Sequence, residues 1–362
     1  MTDSLTCAIV GTGDVARLHA DAVIAHPRAR LVAVTNRTRA KAEEFAEQWG
    51  HPAVYDSLGE LLDAEHPDVV IVCTPPSVHR DEVLAAFAAG AHVILEKPAA
   101  LSLGELDDMR AAARAAHREL AIVFQQRTGT AAAHVRRLLA SGALGRPLLA
   151  QCQTLWYRDA AYFAVPWRGS WESEGGGTTL GHGIHQIDLL VFLLGDWRSV
   201  RAQLWRLDRD TQTEDASTAT VLFDDGVVAQ VVSSAVSPRQ TSSIRIDTQR
   251  ATITLDHLYG HGHANWRITP APGVPEDETA SWAFPDEEEP SGHGVLVRDV
   301  LDALIAGDPL PSTAADPLRS FELVTAMYAS ARIDGRAVAR SDLGEAGLRR
   351  RGFESPVTDL RL

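Results

Sequence analysis

Three groups of residues in this chain have the type and spacing to do chemistry. The first is Glu96-Lys97-Pro98, which closes an apolar run, 93–95, that reads as a buried strand. Lysine is rarely placed where its ammonium is stripped of water. Pro98 restricts Lys97 to an extended backbone, which fixes the direction of its side chain. An amine held there can polarise a reacting oxygen and relay a proton; the competing reading is a strand-end lysine that reaches solvent along its stem. The second group is Gly11-Thr12-Gly13-Asp14-Val15-Ala16, between an apolar run at 5–10 and a helix-like stretch to about residue 25. Strand, glycine turn and helix opening in that order form a cradle for a pyrophosphate. Gly11 permits the turn, Gly13 has no side chain to block the phosphates, and Ala16 lets helix and strand pack closely. The third is His182, His185 and Asp188, spaced by three on an apolar stretch, 180–194, that reads as one helix. That spacing puts them on one face. A carboxylate bonded to an imidazole sets its tautomer, so His185 reads as a positioned acid/base or substrate-orienting group. The alternatives are polar residues at a helix–sheet seam, and metal binding through His-x-x-His, for which this helix supplies no third ligand.

The surrounding chain must place these groups. Apolar runs at 29–35, 68–73 and 121–124 alternate with helical patterns at 41–50, 78–89 and from Ser102-Leu103-Gly104-Glu105 to about 119. Strands alternating with helices give a parallel, doubly wound sheet over residues 1–124. In such sheets ligands bind at the carboxyl ends of the strands, where Lys97 stands. Thr74-Pro75-Pro76 closes one strand as a rigid loop beneath the ligand. At the end of 29–35, where a carboxylate would take the ribose hydroxyls, stands Asn36, followed by Arg37, Thr38 and Arg39. An amide does not repel a 2′-phosphate and a guanidinium can hold one, so NADP is favoured over NAD; otherwise the two arginines are solvated charges.

After residue 124 the character changes. A helix is expected at 131–140, a strand at 148–156, and then a long Trp-, Tyr- and Arg-rich loop, 157–174, containing Trp167, Arg168 and Trp171. Strands follow at 200–207, 216–223, 227–234, 242–248 and 251–256, with reversals so short that pairing must be antiparallel. His257, His261 and His263 read as a loop near the sheet edge, with metal binding possible. Residues 270–290 are rich in proline and acid and read as a flexible surface excursion. Amphipathic helices at 294–305 and 314–333 return to cover the first sheet or seal the domain junction. The second domain, 125–362, is thus a large, mostly antiparallel open sheet flanked by helices.

The totals narrow the possibilities. At 362 residues two domains are expected. A net charge of −14 argues against nucleic-acid or anionic-membrane partners, which need a basic face. The first ten residues are too short and too acidic for a signal peptide, and no window has the ~18 apolar residues of a membrane span. Cys7, Cys73 and Cys152 are far apart in apolar runs, as for free thiols in a reducing cytoplasm.

The Gly11–Ala16 turn, the strand ending in Glu96-Lys97-Pro98 and the triple glycine, 175–177, ahead of His185 together resemble the Gfo/Idh/MocA family, over essentially the whole chain. The resemblance implies a Rossmann domain followed by an open-sheet domain often used for oligomerisation, NADP or NAD as cofactor, and sugar or cyclitol substrates. Lys97 is similar to the family's catalytic lysine and His185 to its active-site histidine. Many members carry an aspartate four residues before that histidine; here Gly181 stands there with His182 beside it, so His182 joins the catalytic candidates. The dinucleotide is expected on Gly11, Thr12, Gly13, Asp14, Val15, Asn36, Arg37, Thr38, Thr74, Pro75, His79, Glu96, Lys97 and Arg168. The substrate is expected on Lys97, Arg127, Trp167, Trp171, His182 and His185, with no metal. The expected protein is a cytoplasmic homo-oligomer, dimer or tetramer, that transfers hydride between NAD(P) and a secondary alcohol of a sugar or polyol. A redox-assisted glycoside-cleaving enzyme and a dinucleotide-sensing regulator are the rival readings.

Overall fold

The computed structural model describes residues 4–314, 318–344, 346–353 and 355–361. The chain divides into two compact units. Among the described residues, the first comprises the chain to Gln125 together with 292–314, and the second comprises 126–291 and the chain from Leu318.

The first unit is built on six strands, β1 (Leu5–Val10), β2 (Ala29–Thr35), β3 (Ala53–Tyr55), β4 (Val69–Val72), β5 (His92–Leu95) and β6 (Leu120–Ile122). All pair in parallel, in the order β3-β2-β1-β4-β5-β6. Helices α1 (Asp14–Ala25), α2 (Arg39–Gln48), α3 (Leu58–Glu65), α4 (Pro76–Ala88) and α5 (Leu103–Ala116) make the crossovers. All four residues of β4 are buried, as expected for a strand covered on both faces. Ser102 caps α5 by accepting the Glu105 N–H, while the Glu105 carboxylate takes the Leu101 N–H at 2.8 Å. The strand β3 and helix α3 were not legible, because β3 is three partly exposed residues at the sheet edge. The helix His293–Ala306 returns to this unit and buries Leu296, Val297, Val300 and Leu301 in one core with Ile9, Ile71 and Ile94. The first unit is therefore made of two stretches of chain, and 292–314 is not part of the second.

The second unit holds a nine-stranded sheet, beginning with β7 (Pro147–Tyr157), β8 (Trp197–Arg206), β9 (Ala216–Phe223) and β10 (Val228–Ser234). It continues with β11 (Val236–Thr248), β12 (Ala251–His257), β13 (Trp266–Pro270) and β14 (Val338–Ala339). The order is β13-β12-β11-β7-β10-β9-β8-β14, with the short strand Thr358–Asp359 beside β8. Pairing is antiparallel except at β7–β10 and at that last strand. Helices α6 (Thr130–Ala140), α7 (Ala160–Phe163), α8 (Trp171–Glu174) and α9 (Ile184–Leu194) precede or follow β7. The expected single helix 180–194 is a π-helical turn, Thr179–Gly183, running into α9. The expected surface excursion is anchored instead: Trp282 is buried and its carbonyl lies 3.0 Å from His134 Nε2. The expected helix at 314–333 spans Leu318–Arg332, and residues 315–317 lie outside the described residues. No helix among the described residues is long and apolar enough to cross a membrane.

Candidate functional site

Parallel pairing in the first unit brings three strand ends together. Val10 is registered with Val72, and Val72 with Leu95, so Gly11, Cys73 and Glu96 leave the sheet side by side. Gly11 has φ +85°, and a Cβ there would fall 2.9 Å from the Cys73 carbonyl, so only glycine fits. Gly13 caps α1 with no side chain, and nothing lies within 4 Å of where its Cβ would be. That leaves the helix N-terminus open to an anion. The Thr12 hydroxyl is buried without a protein partner. A cavity of about 350 Å³ continues from this turn, lined by Thr12, Gly13, Asp14, Arg17, Asn36 and Lys41 among others. An open glycine face, an orphaned hydroxyl and a helix N-terminus beside a cavity fit the phosphates and ribose of a dinucleotide.

Other expected residues take different places. Arg37 and Thr38 do not line the cavity, and Arg39 is an exposed side chain held by Glu43 at 2.8 Å and Asp56 at 2.7 Å. Arg17 and Lys41, which line it, were not singled out from the sequence; both fall on helices whose charged residues read as solvated. His79 is wholly buried, with Nε2 2.7 Å from the Thr74 carbonyl oxygen, and burial lowers its pKa. It braces the Thr74-Pro75 turn from inside. The Thr74 hydroxyl donates to Glu82 at 2.5 Å, and burial pushes the Glu82 carboxyl up to about 7. Glu96, next to Lys97 in the chain, is buried with both oxygens engaged by His19, His293 and the Lys97 N–H.

In the second unit the π-turn and α9 carry the two histidines to one aromatic wall. Trp156 on β7 lies with its ring centroid 5.1 Å from His182 and 6.3 Å from His185. His182 Nε2 is 3.2 Å from the Tyr162 hydroxyl. Arg158 stacks over Trp156 at 4.8 Å, and Arg168 over Tyr162 at 3.8 Å and Trp167 at 4.3 Å. Tyr259 closes the far side of Trp156 at 5.4 Å and is 58% exposed. Trp156, Tyr162, Arg158 and Tyr259 were missed because strand and loop spacing says nothing about what they face. Trp171 packs against Tyr328 at 6.0 Å as an anchor of the loop.

The expected pairing of His185 with Asp188 does not form. Asp188 is fully buried and accepts the Arg127 Nε–H at 2.6 Å, a second Arg127 N–H, and the Ser320 hydroxyl at 2.6 Å. A buried carboxylate is compensated better by a guanidinium than by a neutral ring. Arg127, expected on the substrate, is likewise buried and forms this pair. The triple glycine has its own reason. Glu214 accepts N–H bonds from Gly177 at 3.1 Å and Thr179 at 3.0 Å and the Tyr328 hydroxyl at 2.7 Å. A Cβ on Gly177 would run into the Glu214 carbonyl oxygen, and one on Gly183 into Ser233 Oγ. The three histidines of 257–263 separate: His257 and His261 are buried edge to face at 5.2 Å, while His263 stacks on Phe284. Burial lowers His257 to about 3 and His261 to about 4.

A glycine cradle at a helix N-terminus, at the same sheet edge as a lysine, defines a dinucleotide-dependent oxidoreductase. Residues 5–124 match the model of an oxidoreductase family with an NAD-binding Rossmann fold, and residues 132–254 match the GFO/IDH/MocA C-terminal domain. The chain belongs to the Gfo/Idh/MocA family. It is 30% identical over 285 residues to the D-glucoside 3-dehydrogenase of Escherichia coli (strain K12), covering 72% of this chain and 80% of that one. It is 29% identical over 248 residues to the scyllo-inositol 2-dehydrogenase (NAD(+)) of Bacillus subtilis (strain 168), covering 66% and 69%. Among solved structures, the WlbA dehydrogenase from Bordetella pertussis in complex with NADH and UDP-GlcNAcA is similar with TM-score 0.82 and 26% identity, over 93% of this chain and 98% of that one. The protein is an enzyme, a dehydrogenase or reductase with an NAD-binding fold, and the regulator reading is set aside.

Proposed function

We propose that the enzyme transfers hydride between NADP and a secondary alcohol of a sugar, cyclitol or sugar derivative. The observation that carries this reading is Lys97, which follows β5 at the strand edge that bears the Gly11–Gly13 cradle. Of the 34 lysines and arginines only Lys41 and Lys97 are lysine, one lining the cavity and one closing β5. An arginine stays charged at any working pH, whereas a lysine near ~10.4 can be tuned to exchange its proton.

Thr12, Gly13 and the α1 N-terminus would hold the pyrophosphate of the dinucleotide, whose nicotinamide would supply the hydride acceptor or donor. When an alcohol is oxidised its hydroxyl proton must leave to a base. Lys97 is assigned to polarise that oxygen and relay the proton, and His185, nearer neutrality, to act as the direct acid/base. His182, tied to Tyr162, takes the part of the aspartate replaced by Gly181. Arg158, Arg168 and the aromatic wall give the apolar faces and donors that a sugar ring needs. NADP is favoured by Asn36 in place of a carboxylate and by Arg17 and Lys41 in the cavity. A cytoplasmic homo-oligomer, dimer or tetramer, completes the reading, and sedimentation as a monomer at micromolar concentration would remove that part.

Fluorescence titration with NADPH and NADH, followed by a sugar and cyclitol panel, tests it. NADPH should bind more tightly, and Lys41→Ala should erase the preference; equal or tighter NADH binding reverses the cofactor assignment. Lys97→Met should cut turnover at least ~10²-fold with nucleotide binding intact. Turnover near that of the parent protein would refute the role. Similarity to a D-glucoside 3-dehydrogenase favours one variant of this reading, in which transient oxidation of a glycoside leads to bond cleavage and the cofactor is recycled. Glycoside loss with no net change in NADPH absorbance would select it.

A further inference from the structure

Glu96 joins three segments that are far apart in the chain. Its Oε1 lies 2.8 Å from Nε2 of His19 on α1 and 3.2 Å from Nε2 of His293, the first residue of the returning helix. Its Oε2 accepts the Lys97 backbone N–H at 3.2 Å. The two rings meet edge to face at 5.4 Å, and His19 has no exposed surface.

Two imidazole nitrogens on one carboxylate oxygen have two chemical explanations. The three groups lie within 4.8 Å of one another and could in principle hold a divalent cation. A metal-bound imidazole, however, normally donates its other N–H to an acceptor. The buried Nδ1 of His19 has no partner, so a metal on Nε2 would strand that N–H. With the proton on Nε2 instead, Nδ1 holds only a lone pair and each ring donates to the carboxylate. Burial keeps His19 neutral, with its pKa lowered. Burial alone would raise the Glu96 carboxyl, but the bonds from His19 and His293 outweigh it and hold the group well below its usual range. Cys73 and His79 also feel the Glu96 charge; burial raises the first and lowers the second, so both stay neutral.

We propose that His19 and His293 are positioning residues, which pin Glu96 as an aimed anion bonded to the Lys97 N–H and so fix the main chain that carries Lys97. The proposal rests on the reading of Lys97 given above. A leucine at either histidine removes a donor, whereas glutamine keeps an N–H near the place of Nε2. His19→Leu and His293→Leu should lower kcat at least ~10-fold on a sugar from the panel, with KM and NADPH affinity within about twofold of the parent, and the Gln variants should recover most of the loss. Glu96→Gln, nearly isosteric, should lose as much, and adding His19→Leu to it should cost little more.

A measurement without substrate is also open, because the chain has two lysines. NMR of the ¹³C-methylated protein can follow Lys97 alone, and its pKa should fall by about one unit in Glu96→Gln. An unchanged Lys97 titration overturns the proposal. So do Leu variants that turn over like the parent, Gln variants as impaired as the Leu ones, or one equivalent of zinc in the purified protein. If Lys97→Met itself retains turnover, the reading of Lys97 fails; if that variant is inactive while the Leu variants are not, only the positioning role fails.

Discussion

Replacing Asp188 with alanine tests the reassignment of that carboxylate most directly. Asp188 has no exposed surface, Arg127 is 5% exposed, and the two share two N–H···O bonds with the Ser320 hydroxyl completing the shell. Asp188→Ala leaves a guanidinium in the interior without this carboxylate. Breaking one side of such a pair costs about 3–5 kcal/mol, whereas replacing both sides with apolar groups of similar volume is close to neutral. Of the eight tryptophans only Trp49 belongs to the first unit, so tryptophan fluorescence during urea unfolding reports chiefly on the second. The expected loss is a large share of the ~5–15 kcal/mol that holds an ordinary domain together. Arg127→Met with Asp188→Leu should unfold within about 1 kcal/mol of the parent. If Asp188 instead served to orient His185, the single variant would lose turnover more than stability, and the double variant would regain stability without turnover. A stability loss below about 1 kcal/mol in Asp188→Ala would refute the buried-pair reasoning.

Gly177→Ala drives a Cβ into the Glu214 carbonyl, which the backbone around a carboxylate with three donors cannot easily yield, so a loss of about 1–3 kcal/mol is expected. Because that turn leads into His182 and His185, sugar turnover should fall while NADPH affinity, a property of the first unit, stays unchanged. Acid should weaken the second unit through His257 and His261, held near 3 and near 4 in the fold against ~6.5 in the unfolded chain. Between those values the unfolded chain binds more protons, so this contribution is complete above pH ~6.5 and is lost as pH falls toward ~4 and ~3. The two together should cost about 2–5 kcal/mol by pH ~4.5. His257→Gln with His261→Gln should flatten that slope, and an unchanged slope would show the rings charge freely in the folded state.

The positions of the candidate side chains in the fold were legible in the sequence because local rules place them. A buried strand announces itself as an apolar run, the residue after it must sit at the sheet edge, and a glycine needed at φ +85° is visible as a glycine. Thus Lys97 and the Gly11–Gly13 turn could be read one stretch at a time. The two strands that flank β11 in the second sheet, β12 and β7, emerged likewise, whereas β3 was too short and β13 too exposed to stand out.

What holds the candidate groups obeys no such rule. Glu96 is bonded to histidines 77 and 197 positions away, Asp188 to an arginine 61 positions away, and Glu214 to a tyrosine 114 positions away. A buried carboxylate takes whatever donors the fold delivers, because leaving any lone pair bare costs more than the distance in sequence. The helical spacing of His185 and Asp188 was real, yet the guanidinium of Arg127 outcompeted the ring. Each of these three acids stands next to a segment that carries a proposed site residue: Lys97, the turn bearing His182, and the helix bearing His185. An anion with several fixed donors has one low-energy orientation, so the segment it is bonded to inherits that rigidity without placing a strong base where the substrate must react.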